Sequence, residues 1–162
     1  MKKILIKAII IALTFSMTAK AAPAKTPMTL SIKTQNGEIF DLNNERGKLV
    51  VVIFWVSWCD ICRQELSALN SLYNLQNGKK KSFEVIAINF DEQDNDSDAK
   101  KFLKILNPAY KIAKLRDAKT NNFPHITSLP STYIVNEKGV IREEFEVYDL
   151  DNVEKKLEKA LR

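Results

Sequence analysis

Residues 49–65 read LVVVIFWVSWCDICRQE, and this stretch is the main basis for the predicted fold. The segment Leu49–Val56 is apolar without a break, which is typical of a central strand buried on both faces of its sheet. After Trp58 the apolar residues recur at steps of four, three and four, the spacing of one face of a helix. These residues are Cys62, Leu66, Leu69 and Tyr73. The sequence therefore predicts a buried strand that runs directly into a helix, with two cysteines at the junction.

Cys59 and Cys62 are the only cysteines in the 162 residues, and their spacing suits a structural crosslink, a metal clip or a reactive dithiol. A crosslink that closes a loop of about four residues adds only about 2 kcal/mol of stability, against about 4.7 kcal/mol for a 100-residue loop. A chain of this length also has room for an ordinary hydrophobic core. The crosslink is therefore a weak explanation.

A metal site would need more ligands than this pair provides. Structural zinc takes four Cys or His ligands, and His125 is the only histidine of the chain. Covalent haem attachment would need a histidine after the second cysteine, where this chain has Arg63. We predict no metal site, and a copper-delivery module remains an alternative that requires Cys59, Cys62 and His125 to converge.

The reactive dithiol fits the local structure better. A strand that ends just before Cys59 and a helix that starts there place the first thiol at a helix N-terminus. Free backbone N–H groups and the helix dipole stabilise a thiolate at that position. Cys62 follows one turn later, close enough to form a disulfide with Cys59. A non-catalytic assembly module with the same fold remains a second alternative.

The N-terminal residues 1–21 have the pattern of a secretory signal peptide. Lys2 and Lys3 precede a mostly apolar segment, 8–19, and small residues suitable for cleavage follow. An uncleaved membrane anchor is the alternative, although the apolar run is shorter than the about 20 residues that a membrane span needs. We therefore expect a mature domain over residues 22–162 in the periplasm or otherwise outside the cytoplasm.

The basic character of the chain comes largely from this N-terminal segment. The chain has 25 basic and 20 acidic residues. Setting aside Lys2, Lys3, Lys7 and Lys20 leaves 21 basic against 20 acidic residues. A mature chain so close to neutral gives no reason to expect a nucleic-acid partner.

The rest of the chain alternates strands and helices. Strands are predicted at 28–33 and 38–42 around the hairpin signal Asn36-Gly37, at 83–90, and at 131–135 and 139–147. A helix is predicted from about Asp98 to Leu106, ahead of Pro108, and a last helix from Asp151 with Glu154 in capping-box position. Gly78 is expected to end the first helix. The result is a mixed α/β sheet flanked by helices, with an extra N-terminal hairpin.

Three segments together resemble the thioredoxin superfamily. They are the strand LVVVIFW, the run SWCDICRQE at the helix start and, some 65 residues later, SLPSTYIVNEKGVI. Within the superfamily the chain looks like the secreted TlpA-like branch, which includes the reductases of cytochrome c maturation. The resemblance covers residue 26 to the C-terminus and implies a thioredoxin-like fold and a thiol-disulfide oxidoreductase.

The resemblance also implies roles for particular residues. Cys59 matches the nucleophile and Cys62 the resolving cysteine of a redox-active disulfide, while Pro130 matches the cis-proline that faces the disulfide. Trp58 and Leu129 match the apolar residues beside the site that contact substrate. Among the catalytic residues we also place Glu65, which matches an acid that tunes the cysteines in some TlpA-like reductases.

The chain departs from the family pattern at several positions. Asp60-Ile61 stands between the cysteines where relatives often have a proline, and Ser67 replaces a proline common after the motif. Ile53 stands where thioredoxin has a buried aspartate six residues before the first cysteine. We expect the cysteines to be the redox group without an added cofactor. The expected partners are disulfide-containing proteins and an upstream, membrane-bound thiol donor.

Overall fold

The computed structural model describes residues 26–75, 83–92 and 96–146, together with Lys155 and Lys159. Seven strands form one sheet in the order β2-β1-β5-β4-β3-β6-β7. The strands are β1 (Leu30–Thr34), β2 (Ile39–Asp41), β3 (Leu49–Trp55), β4 (Phe83–Asn89), β5 (Lys111–Asn121), β6 (Ser131–Val135) and β7 (Ile141–Glu146). The helices are α1 (Asp60–Leu75) and α2 (Asp96–Leu106), and a short 3-10 helix spans Leu42–Glu45.

The central strand β3 is buried along its whole length, as its unbroken apolar sequence predicts. It pairs in parallel with β4 and antiparallel with β6. Alternate residues of β3 contribute to two different hydrophobic clusters on opposite sides of the sheet. Trp55, which we expected in the core from this alternation, is fully buried and packs edge-on against Phe102 of α2 at 5.7 Å.

The N-terminal hairpin is confirmed. Strands β1 and β2 pair antiparallel around a turn in which Gly37 has φ of +90°, a conformation that glycine adopts without strain. The hairpin joins the main sheet because β1 also pairs antiparallel with β5. The mixed sheet, its flanking helices and the extra N-terminal hairpin are therefore all present as predicted.

Strand β5 is not predicted from the sequence. Residues 111–121 mix buried and exposed positions without regular alternation, and five of the eleven are Lys, Arg or Asp. The strand forms because it has neighbours on both sides, β4 in parallel and β1 antiparallel. Helix α2 also begins two residues earlier than predicted, at Asp96, whose side chain forms ion pairs with Lys114 and Arg116 of β5.

Some predictions lie outside the described residues. They concern the signal peptide at 1–21, the helix end at Gly78, and the start of the last helix at Asp151 and Glu154. Lys155 and Lys159 are both helical and exposed. Among the described residues no helix is long and apolar enough to cross a membrane.

Candidate active site

The site lies where β3 leads into α1. Cys59 immediately precedes the first residue of α1, and its carbonyl accepts the first helical hydrogen bond from the Arg63 N–H at 3.1 Å. The N–H of Cys62 donates to the Cys59 sulfur at 3.1 Å. The sulfur thus occupies the place that a serine or aspartate oxygen takes at a helix N-cap, where it accepts an N–H that the helix leaves unpaired.

The two cysteines form a disulfide with a Cα–Cα distance of 5.2 Å. Cys59 is half-buried, whereas Cys62 is completely buried at the start of the helix face that packs on the sheet. Only the first sulfur is therefore accessible to another molecule. Trp58, directly before it, is 68% exposed, which is unusual for so large an apolar side chain.

The segment before β6 closes the other side of the disulfide. The carbonyl oxygen of Leu129 lies 3.9 Å from the Cys59 sulfur. The Leu129–Pro130 peptide bond is cis, as the resemblance implied, and Pro130 itself is buried. Leu129 is half-buried against the hydrophobic clusters on both sides of the sheet. The structure thus brings Leu129 and Pro130 next to Cys59, although Leu129 lies 70 residues after it in sequence.

Glu65 is the acid that the structure buries inside this region. It lies on α1, one turn after Cys62, with only 5% of its surface exposed. Its Oε1 accepts a 2.6 Å hydrogen bond from the Thr132 hydroxyl of β6. Burial raises the pKa of Glu65, and the hydrogen bond from Thr132 offsets part of that increase.

Thr132 places the Glu65 carboxyl close to position 53, where this chain has isoleucine. In the antiparallel register of β3 and β6, Thr132 lies directly opposite Ile53. A carboxyl group bound to Thr132 therefore reaches the neighbourhood of position 53 from the helix instead of from the strand. The sequence analysis assigned no role to Thr132, although it lies within the SLPSTYIV segment.

A second acid, Asp91, follows β4 in a polar stretch for which no role is predicted from the sequence. The structure buries it at the end of β4, where both carboxylate oxygens accept the backbone N–H of Ser57 at 3.0 and 3.1 Å. Its position just after a fully buried strand that pairs with β3 could have indicated a functional residue. Carboxyl ends of neighbouring parallel strands lie at the same edge of a sheet, where functional groups collect.

Other candidate positions take no part in this arrangement. His125 is exposed, and among the described residues no group of three or more His, Cys, Asp or Glu side chains is placed to hold a metal ion. A pocket of about 610 Å³ lies elsewhere, between the N-terminal hairpin, α2 and the start of β5. None of Trp58, Cys59, Cys62, Glu65 or Pro130 lines it.

Two features of the site identify the class of protein. The disulfide lies at the N-terminus of the helix that follows the central strand, and a cis-proline segment lies beside it. They are the features of a thioredoxin-like thiol-disulfide oxidoreductase. The chain matches the AhpC/TSA family over residues 19–144 and belongs to that family.

The relatives agree with this class. The chain is 35% identical over 115 residues to the thioredoxin-like protein YneN of Bacillus subtilis, covering 70% of this chain and 65% of that protein. It is 26% identical over 129 residues to the thiol-disulfide oxidoreductase ResA of Geobacillus kaustophilus, covering 80% of this chain and 72% of ResA. The chain thus spans just under two thirds of YneN and somewhat more of ResA.

The fold has close counterparts among solved structures. A thiol:disulfide interchange protein of the thioredoxin family from Chlorobium tepidum superposes with a TM-score of 0.68 at 21% identity, covering 88% of this chain and all of that one. The thioredoxin-like fold is therefore confirmed.

Proposed function

We propose that the protein is a reductant of disulfides in extracytoplasmic proteins. The observation that carries the proposal is the unequal exposure of the two sulfurs. Cys59 is accessible at a helix N-terminus, and Cys62 is buried behind it. A dithiol arranged in this way can attack another molecule with one sulfur and release it with the other.

In the proposed cycle the Cys59 thiolate attacks one sulfur of a substrate disulfide. A Cys59–substrate mixed disulfide forms, and the other substrate sulfur leaves as a thiolate that takes up a proton. The Cys62 thiol then loses its proton and attacks the Cys59 sulfur, which releases the second substrate thiol. The protein is left with the Cys59–Cys62 disulfide, and a dithiol donor must return two electrons before the next cycle.

Glu65 is proposed to handle the proton of Cys62 in the second step. Both side chains are buried on α1, and residues three apart are neighbours on a helix surface. A carboxyl whose pKa is raised by burial titrates closer to neutral pH than an exposed glutamate does, which suits a general base for a thiol. Trp58, Leu129 and Pro130 are proposed to contact the substrate around the disulfide.

Negative charge near the cysteines favours a protein that reduces disulfides over one that forms them. Asp60 is exposed in the first turn of α1, and Glu65 is a second acid one turn beyond Cys62. Negative charge near a thiolate disfavours it, so the reduced protein is stabilised less than in a strong oxidant. We expect a reduction potential nearer to about −270 mV, as in thioredoxin, than to about −120 mV, as in DsbA.

The test is to equilibrate the protein with dithiothreitol buffers and measure the potential. A value above about −150 mV would show an oxidant and contradict the proposed direction. Because the proposal places the substrates in other proteins, a reduced Cys62→Ser variant should also form mixed disulfides with disulfide-containing proteins from an extracytoplasmic extract.

The location is proposed from the N-terminal segment, which has signal-peptide character with a membrane anchor as the alternative. Support comes from a solved relative, described as an exposed lipoprotein thioredoxin of Streptococcus pneumoniae, which shares the fold at a TM-score of 0.61. A place in cytochrome c maturation and a membrane-bound thiol donor remain part of the proposal. Loss of c-type cytochromes on deletion of the gene, with rescue by added dithiothreitol, would support that place.

A further inference from the structure

Ser57 lies two residues before Cys59, and both of its backbone polar groups are held by side chains. Its N–H donates to both carboxylate oxygens of Asp91, at 3.0 and 3.1 Å. Its carbonyl oxygen accepts a 2.7 Å hydrogen bond from Nε of Arg63. Ser57 is 1% exposed, so water does not compete for either group. The segment between β3 and α1 is thus fixed on both sides by charged partners, which form stronger hydrogen bonds than neutral ones.

The Asp91 carboxylate is itself held in place. Asn89 donates from Nδ2 to Oδ2 of Asp91 at 2.9 Å, and the Asp91 N–H donates back to Oδ1 of Asn89 at 3.2 Å. Both residues are at least nine-tenths buried. Every described partner of the carboxylate is an N–H donor, so the aspartate works here as an acceptor only.

Arg63 is fixed from its other side. Its guanidinium lies over the Phe102 ring, 5.7 Å from the centroid, and one terminal nitrogen is 3.8 Å from the exposed Asp60 carboxylate. The aromatic contact belongs to α2, which also packs against Trp55. The arginine therefore links the Ser57 carbonyl to both helices.

We infer that Asp91 is a positioning residue for the dithiol. Asn89 holds its carboxylate, and Arg63 binds the carbonyl oxygen of the same Ser57. By fixing the Ser57 peptide groups, Asp91 sets the backbone that places the Cys59 sulfur within hydrogen-bonding distance of the Cys62 N–H. Preorganisation of two reacting groups raises their effective concentration. Asp91 thus favours closure of the Cys59–Cys62 disulfide through geometry, without touching either sulfur. This inference rests on the thiol-disulfide chemistry proposed above.

The negative charge of Asp91 could also change the cysteine equilibrium directly. The experiment must separate this electrostatic effect from the geometric one. Among the described residues, the other charged side chains close to the cysteines in sequence are Asp60, Arg63 and Glu65 of α1, and Arg116 of β5 lies 3.5 Å from the Asp91 carbonyl oxygen. Removing a negative charge stabilises a thiolate, which favours the reduced form only at a pH where thiolate is present. At a pH one unit or more below the measured Cys59 pKa, both cysteines are protonated thiols. A difference that persists there comes from geometry.

The test compares Asp91→Asn with the unmodified protein by equilibrating the dithiol with glutathione. Asparagine offers one acceptor and two donors where N–H groups converge, so it cannot replace the carboxylate. The equilibrium constant for disulfide closure should fall about tenfold, which is about 30 mV in potential, both near neutral pH and below the cysteine pKa. Equal constants at the lower pH would overturn the inference, whatever happens near neutral pH.

Two further variants complete the design. Asp98→Asn removes an acid of the same charge whose described partner is Lys101 of α2, and its constant should stay unchanged. If it fell equally, the effect would be general destabilisation and the inference would fail. Arg63→Lys keeps the charge but places a methylene where Nε donates to Ser57.

Arg63→Lys should lower the constant in the same direction, and it carries the test if Asp91→Asn does not fold. An unchanged constant in this variant would contradict the inference. The glutathione constant can be measured even if the protein proves unable to reduce protein disulfides. Failure of the proposed function and failure of this inference are therefore distinguishable.

Discussion

Glu65 and Asp91 are both buried acids close to the disulfide, but the regions around them differ. Glu65 lies between α1 and β6, and the hydroxyl of Thr132 is the hydrogen-bond partner that the structure describes for it. Asp91 lies at the end of β4 and accepts N–H groups from Ser57 and Asn89. Burial raises the pKa of Glu65 despite the Thr132 hydrogen bond, whereas the Asp91 carboxyl serves as an acceptor for the N–H donors around it. The first arrangement suits proton transfer and the second suits positioning.

The contrast between Glu65 and Asp91 holds only if Cys59 attacks the substrate disulfide. Cys62, near Glu65, must then resolve the mixed disulfide. We expect Cys59→Ser to abolish disulfide reduction, because the accessible nucleophile is gone. Cys62→Ser should instead accumulate mixed disulfides, because the resolving thiol is gone. Both are checked by turnover with a protein disulfide and by non-reducing electrophoresis. Trapping by Cys59→Ser and none by Cys62→Ser would reverse the roles and detach Glu65 from the resolving step.

Glu65→Gln should slow resolution near neutral pH by about a hundredfold, a typical contribution of a general base. As an acid with a raised pKa, Glu65 is a carboxylate only above that pKa, so the rate in the unmodified protein should fall as the pH drops through it. The variant should lose the inflection at that pKa and keep only the dependence set by ionisation of the cysteine thiol. Single-turnover reduction followed across pH measures both, and titration of thiolate absorbance should show a lower cysteine pKa once the like charge is removed.

Asp60→Asn is the matched control, because it removes the same charge from α1 at a side chain that is 86% exposed. It should change the resolution rate much less than Glu65→Gln does. If the two variants behaved alike, Glu65 would act only through its charge. If Glu65→Gln matched the unmodified protein, the glutamate would be a helix-stabilising residue and its contrast with Asp91 would disappear.

Trp58→Ala tests an exposed side chain of the same site, in contrast to the buried acids. It should lower kcat/KM for a protein disulfide about tenfold, because a large aromatic side chain at a binding surface contributes on the order of 1–2 kcal/mol. Reduction of a small-molecule disulfide and the melting temperature should hardly change. Ile105→Ala is the control, since Ile105 is 85% exposed on α2, outside the disulfide region. An equal loss for both kinds of substrate would place Trp58 in the chemistry instead of in binding.

Thr132→Val has the smallest expected effect and tests the hydrogen bond that the structure describes for the Glu65 carboxyl. Its hydroxyl lowers the pKa of Glu65, so its loss should raise that pKa further and move the acid side of the pH–rate profile upward. Resolution at neutral pH should slow about fivefold, which corresponds to one hydrogen bond of about 1 kcal/mol. The same profile in Glu65→Gln carrying Thr132→Val should not move. A shift that survived without the carboxyl would show that Thr132 acts elsewhere.

Much of the site could be predicted from local sequence because its parts follow one another along the chain. The apolar run of β3, the cysteine pair and the helical spacing of α1 are consecutive. Glu65 follows Cys62 by one turn, so its place on α1 needed no knowledge of the sheet. Pro130 is distant in sequence, and its place beside Cys59 came from the family resemblance.

Local structures, and the reactive cysteine pair that they carry, follow from the amino-acid sequence alone. Tertiary structure decided β5, whose pattern is too mixed to predict a strand and which forms between β4 and β1. It also decided the partners of the two acids. Thr132 reaches Glu65 only through the register of β6 on β3, and Asp91 reaches Ser57 only because β3 and β4 end side by side. Such contacts depend on strand pairing between distant segments, whereas periodicity reports only what happens within one segment.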